Sequence, residues 1–123
     1  MGKVENPNGR NELEQRTLAF AVAVVRFVSL LPRNDVSSVL GRQLLRSATS
    51  VGANYREANR AESRDDFIHK TALAQKEAAE TEYWLELCRQ ASVGSAAAIP
   101  ALADESRQLL AILTTINRKA KGR

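Results

Sequence analysis

Between positions 67 and 88 the chain repeats one pattern without interruption: Phe67, Thr71, Ala74, Ala78, Thr81, Leu85 and Cys88 recur at alternating spacings of four and three. A strand would alternate at every second residue. This period instead places all seven side chains on one stripe of a helix, the arrangement of left-handed helix-bundle packing. Cys88, closing the stripe, reads as a core thiol. Such a stripe needs partner helices to bury it.

Leu13, Thr17, Phe20, Val24, Phe27 and Leu31 form a second stripe at the same spacings. Asn11 is placed to cap it, with Glu14 at the capping-box position three residues on, and Pro32 to end it. A further helix is predicted from Val36 to about Ala61, capped by Asn34 or Asp35, with Leu40, Leu44, Val51, Tyr55 and Ala58 as its inner row. Its middle is built of small residues, Ser47, Ala48, Ser50, Gly52 and Ala53, which admit a close neighbour. Gly52 lowers helix propensity by about 1 kcal/mol relative to Ala and so implies a packing reason. Ser63 or Asp65 caps the heptad helix, and Asp65 and Asp66 suit the positive end of its dipole. After a break at 92–100 containing Gly94 and Pro100, Leu102, Leu109, Leu113 and Ile116 mark a fourth helix.

The fold class is therefore all-α, an antiparallel up-down-up-down four-helix bundle. Few aromatics (5%), six glycines and three prolines agree with it. Residues 1–10, with Pro7 and the turn-prone Asn8-Gly9, are predicted to be a disordered arm. The bundle domain then spans 11–120, and 121–123 is a basic tail.

One cysteine allows no internal disulfide, and no secretory leader pattern opens the sequence, which together predict a cytoplasmic protein. The most apolar stretch, Leu18 to Leu31, covers 14 residues and includes Arg26. A membrane-spanning helix needs about 20 apolar residues, so no membrane anchor is expected. The net charge of +4 permits an anionic partner without requiring one. Its distribution is uneven: the heptad helix is acidic, and its flanking helices are basic.

Chemistry is hard to find in this sequence. His69 has no second histidine and no cysteine at metal-ligand spacing, so it reads as a surface residue. Glu77, Glu80, Glu82 and Glu86 bring to mind a di-iron bundle, but the Glu-x-x-His motifs of such a site are absent; they read as a solvated face or as partners for arginines of a neighbouring helix or subunit. Gly41-Arg42 and Val51-Gly52 lack the flanking glycines of a phosphate loop or nucleophile elbow. Tyr83-Trp84 suits core or interface better than base stacking. Asn54, beside the inner row, is expected to find a partner across the bundle, with Glu77, Glu80 or Arg46 the candidates. No catalytic residue, metal site or cofactor is expected, and the chain is not expected to be an enzyme.

Two surface features remain. Leu18, Val22 and Val25 form an apolar row opposite the inner stripe of the first helix, which a lone bundle would leave uncovered, and they are candidates for an oligomer interface. On the second helix, at 100° per residue, Arg42, Arg46, Arg56 and Arg60 fall within about 80° of one another, opposite the apolar row. This arginine stripe is the candidate nucleic-acid-binding surface. The competing reading pairs it with Glu77, Glu80 or Glu86 of an adjoining subunit.

The run Gln43-Leu44-Leu45-Arg46-Ser47-Ala48-Thr49-Ser50-Val51-Gly52-Ala53-Asn54-Tyr55-Arg56-Glu57-Ala58, with Ser63-Arg64-Asp65-Asp66-Phe67-Ile68 and Glu77-Ala78-Ala79-Glu80-Thr81-Glu82-Tyr83-Trp84-Leu85-Glu86-Leu87, resembles the bacterial 23S rRNA intervening-sequence protein family, also called the four-helix-bundle protein family. The resemblance implies a small cytosolic bundle that assembles into a homopentameric ring and has no enzymatic activity. A related bundle, the accessory protein of diversity-generating retroelements, forms a basic pentamer that binds nucleic acid and a reverse transcriptase. Two functions follow as expectations: a non-enzymatic, ring-forming protein that binds RNA or DNA through basic surface, or a structural or protein-interaction module with an unidentified protein partner and no nucleic-acid role.

Overall fold

The computed structural model describes residues 7–122. Four helices follow one another, α1 (Pro7–Ser29), α2 (Asp35–Ala58), α3 (Arg64–Gln90) and α4 (Ile99–Gly122). Each packs on the next and α1 also meets α4, closing the antiparallel four-helix bundle expected from the periodicity. The α2–α3 and α3–α4 contacts are the most extensive, and α1–α4 is the slightest. Among the described residues there is no strand.

Caps set two of the helix starts as anticipated. Asn34 Oδ1 accepts from the Ser37 amide at 2.8 Å to begin α2, and Ser63 Oγ accepts from the Asp66 amide at 3.0 Å to begin α3. The start of α1 differs from expectation. It is helical from Pro7, four residues before the anticipated Asn11 cap. Proline suits a first helical position because its φ is preset and its missing N–H would have had no intrahelical acceptor. Of the predicted arm, residues 1–6 lie outside the described residues, and 7–10 form the first turn of α1. At the other end α4 continues through Lys121, so this part of the basic tail is its last turn. Likewise α2 stops at Ala58 rather than Ala61; Arg60 and Ala61 follow in a turn, their amides bonded to the carbonyls of Glu57 and Ala58.

The core lies where the stripes converge. Thr71, Ala74, Ala78, Thr81, Leu85 and Cys88 of α3 are all buried, against Leu44 and Val51 of α2, Val24 of α1, and Leu109 and Leu113 of α4. Phe67, Leu31 and Leu40, at the ends of their stripes, are half-buried. Several polar groups inside this core are matched between helices. The Thr81 hydroxyl donates to Ser47 Oγ at 2.9 Å, and Ser106 Oγ donates to the Ala78 carbonyl at 2.9 Å. Asn117 Nδ2 reaches the Ile68 carbonyl and Thr71 Oγ1 at 2.9 and 2.8 Å. These bonds fix the register of α3 against α2 and α4, which makes α3 the central helix of the fold.

Gly52 has the packing role its position implied. A Cβ there would lie 2.8 Å from Thr17 Oγ1, so glycine lets α2 approach α1. In the α3–α4 loop, Gly94 adopts φ 86°, and a side chain there would collide with the Phe27 ring. The loop thereby closes over the end of the core.

Candidate nucleic-acid and subunit interfaces

The four stripe arginines are all exposed on the outer side of α2, but ion pairing divides them. Arg46 leans onto α3, where Nη1 lies 3.3 Å from Glu77 Oε1 and Nη2 pairs with Glu80. Glu80 also accepts from Trp84 Nε1 at 2.9 Å, which holds its carboxylate in place. Arg56 and Arg60 lean the other way, onto α1: Arg60 Nη1 is 3.2 Å from Glu14 Oε2 and Arg56 Nε is 3.8 Å from Glu14 Oε1. Asn59 Nδ2 donates to the same carboxylate at 2.8 Å, and this bond, with Arg60 beside it, holds the Glu14 carboxyl below the usual carboxylate range. Among the described residues Arg42 meets no carboxylate; its guanidinium lies 3.3 Å from Ser38 Oγ.

The expected pairing with Glu77 and Glu80 thus occurs within one chain for Arg46, whereas Arg56 and Arg60 pair with Glu14, outside the expected set. Nothing in the local sequence singles out Glu14 as their acceptor, because the contact depends on how α1 slides along α2. Glu57 with Lys70 at 2.6 Å, and Arg16 with Glu105 at 2.7 Å, add further bridges between helices. Most of these groups remain in contact with water, where each pair contributes little and is screened by salt.

The apolar row of α1 is open. Leu18, Val22 and Val25 are 48%, 39% and 44% exposed, facing away from the core that Phe20, Val24 and Phe27 occupy. Val36 and Val39 of α2 and Tyr83 of α3 are further exposed apolar positions. Tyr83 sits edge-on to Trp84 with ring centroids 5.0 Å apart. Between α1 and α4 an apolar groove of about 800 Å³ is lined by Ala23, Phe27, Leu30, Ala98, Ala101 and Leu102. No constellation of acid, base and nucleophile enters it.

The remaining candidates have structural roles. His69 is exposed, and Cys88 is a buried free thiol whose pKa is pushed up by burial. Asn54 does not bridge the bundle as anticipated: its Nδ2 donates to the Ser50 carbonyl one turn back on α2, at 2.9 Å. Glu82 meets Arg107 at 3.4 Å, and Glu86 is held down to about 2 by its hydrogen bonds from Arg89 and Gln90. Among the described residues no three of His, Cys, Asp and Glu converge as a metal site, and no helix is long and apolar enough to cross a membrane.

Residues 10–115 match the family model described as 23S rRNA-intervening sequence protein. The chain is also similar to the crystal structure of a protein of unknown function from the S23 ribosomal protein family of Bacteroides thetaiotaomicron VPI-5482. That likeness has a TM-score of 0.82 at 38% identity, covering 89% of this chain and 97% of the other. No curated protein matches the chain significantly.

Proposed function

Since the chain belongs to the 23S rRNA-intervening sequence protein family, we propose that it is a non-enzymatic, self-assembling bundle of the cytoplasm that binds RNA or DNA through basic surface. The observation that carries self-assembly is the row Leu18, Val22 and Val25, three large apolar side chains aligned on the outside of α1. A patch of this kind marks an interaction site. A contact between this row and a different face of a neighbouring copy is heterologous and closes into a ring when the rotation permits; the pentameric number rests on the family resemblance. The net charge of +4, with Arg42 unpaired and the stripe pairs exposed to exchange, supports an anionic ligand. The lone buried thiol supports a reducing compartment.

One observation favours a second reading, a structural or protein-interaction module without a nucleic-acid role: Arg46, Arg56 and Arg60 already have carboxylates of their own chain. Retention of bulk RNA at low salt separates the two. Replacing Arg42, Arg56 and Arg60 together by Gln should weaken that retention and leave the assembled mass unchanged. Loss of the assembly with these substitutions would make the stripe a subunit interface, and retention that ignores them would remove the stripe from the binding surface.

A further inference from the structure

Among the cations without an ion pair, Arg26, Arg33, Arg42 and Lys76 are spread over the bundle, whereas Arg64, Arg118, Lys119 and Lys121 share one tip. There α3 begins and α4 ends. Arg64 Nε donates to the Ala120 carbonyl at 2.8 Å, tying the first residue of α3 to the last turn of α4. Lys119 and Lys121 of that turn, and Arg118 just before it, are all exposed to solvent. Among the described residues none of the four pairs with a carboxylate; Asp65 and Asp66, the acids of the adjoining α3 turn, form no ion pair either. The α4 dipole accounts for a cation near its carbonyl end. Arg64 already meets a carbonyl there, which leaves three cationic heads facing outward.

What such a tip can hold follows from what it lacks. On α4 the cations are interspersed only with Ala120 and Gly122, and on α3 Arg64 is flanked by the polar Ser63 and Asp65, so no large apolar side chain stands among them. Protein interfaces are anchored by buried aromatic or aliphatic side chains and are depleted in lysine. A membrane-surface helix needs an apolar face beside its basic one. A phosphodiester backbone needs only cations on long arms at close intervals. At 100° per residue, Arg118, Lys119 and Lys121 fan over about 160° of the helix end, so they meet successive phosphates along a strand rather than grip a single one.

We propose that this tip, formed by Arg64, Arg118, Lys119 and Lys121, docks the phosphodiester backbone of single-stranded RNA without regard to sequence. The proposal rests on the nucleic-acid reading above and adds a contact that the arginine stripe does not contain. The tip shares no residue with the apolar row of α1.

The test uses the full chain and a mixed-sequence single-stranded RNA, with affinity measured across a salt series. The triple variant R118Q/K119Q/K121Q should bind at least tenfold more weakly at low salt. Its slope of log affinity against log salt should flatten by about 2, since each lost phosphate contact on a single strand removes about 0.7. The double variant K119R/K121R should bind as the wild type does, and helix content and assembled mass should not change in either. Wild-type affinity and slope in the triple variant, with both lost on replacing Arg42, Arg56 and Arg60, would overturn the tip while the nucleic-acid reading stands. Absence of RNA binding by the wild type at low salt would overturn both. Retention on phosphatidylserine vesicles that the triple substitution removes while RNA binding persists would reassign the tip to a lipid surface.

Discussion

At Gly52 α2 approaches α1 closely, and two opposed effects meet at its α-carbon. Alanine would gain about 1 kcal/mol of helix propensity. Its Cβ, however, would lie 2.8 Å from Thr17 Oγ1 and 3.1 Å from Thr17 Cβ, and Thr17 is fully buried with its hydroxyl donating to the Glu14 carbonyl. Overpacking a core contact costs about 1–3 kcal/mol, so the clash outweighs the propensity. Gly52→Ala should therefore lower the urea midpoint with no change in m-value. Thr17→Ala removes the nearest atom, and the double variant should lose less than the sum of the singles, as expected for residues in contact. A more stable Gly52→Ala protein would mean that the helices part without strain. Gly94 is the stricter case, because Ala there meets both a left-handed backbone at φ 86° and the Phe27 ring.

At the scale of elements, Glu14 joins α1 to α2, and its charge gives that contact a pH dependence. Its carboxyl pKa is lowered in the folded chain by Asn59 and then Arg60. A lowered pKa means that the stabilisation is fully present above the ordinary carboxylate value of 4.5 and is lost as pH falls below it. Glu14→Gln should thus be less stable than the wild type at pH 7, and the difference should shrink in acid; urea midpoints of both proteins at neutral and acid pH measure it. An equal deficit at both pH values would assign the effect to side-chain shape. The same contact shows what sequence reading reaches. The α3 stripe was legible because its period never breaks, so all its positions but the terminal Phe67 are buried. Asn34 and Ser63 were legible as caps because capping is decided within four residues. Asn11 was not: the turn tendency of Asn8-Gly9 lost to a helix already running from Pro7. The direction of the arginine stripe follows from helix geometry alone, but whether Arg56 and Arg60 are free depends on Glu14, some forty residues distant in sequence. Periodicity does not encode that sliding register, nor did it anticipate that Asn54 would bond its own helix.

For the whole molecule, the described residues hold no converging metal ligands, so the melting temperature should be indifferent to EDTA; a fall of several degrees would reveal a ligand set elsewhere in the chain. Assembly is the property most open to a decisive measurement, because the same substitution acts differently on one chain and on a ring. Val22 is 39% exposed in the single bundle, so a glutamate there would keep its charge in water. Surface changes of that kind alter stability by about 0.5 kcal/mol or less. Pressed against a neighbouring copy, the same carboxylate would be desolvated without a partner, a penalty of several kcal/mol. Val22→Glu should therefore reduce the mass measured by light scattering at micromolar concentration to that of a single chain, with helix content and melting temperature close to those of the dissociated wild type. Val25→Lys, of opposite sign, should do the same, which guards against a fortuitous ion pair rescuing one variant. A wild type that scatters as a single chain, or variants that retain the wild-type mass, would leave the α1 row as ordinary exposed surface and remove the ring from the functional proposal.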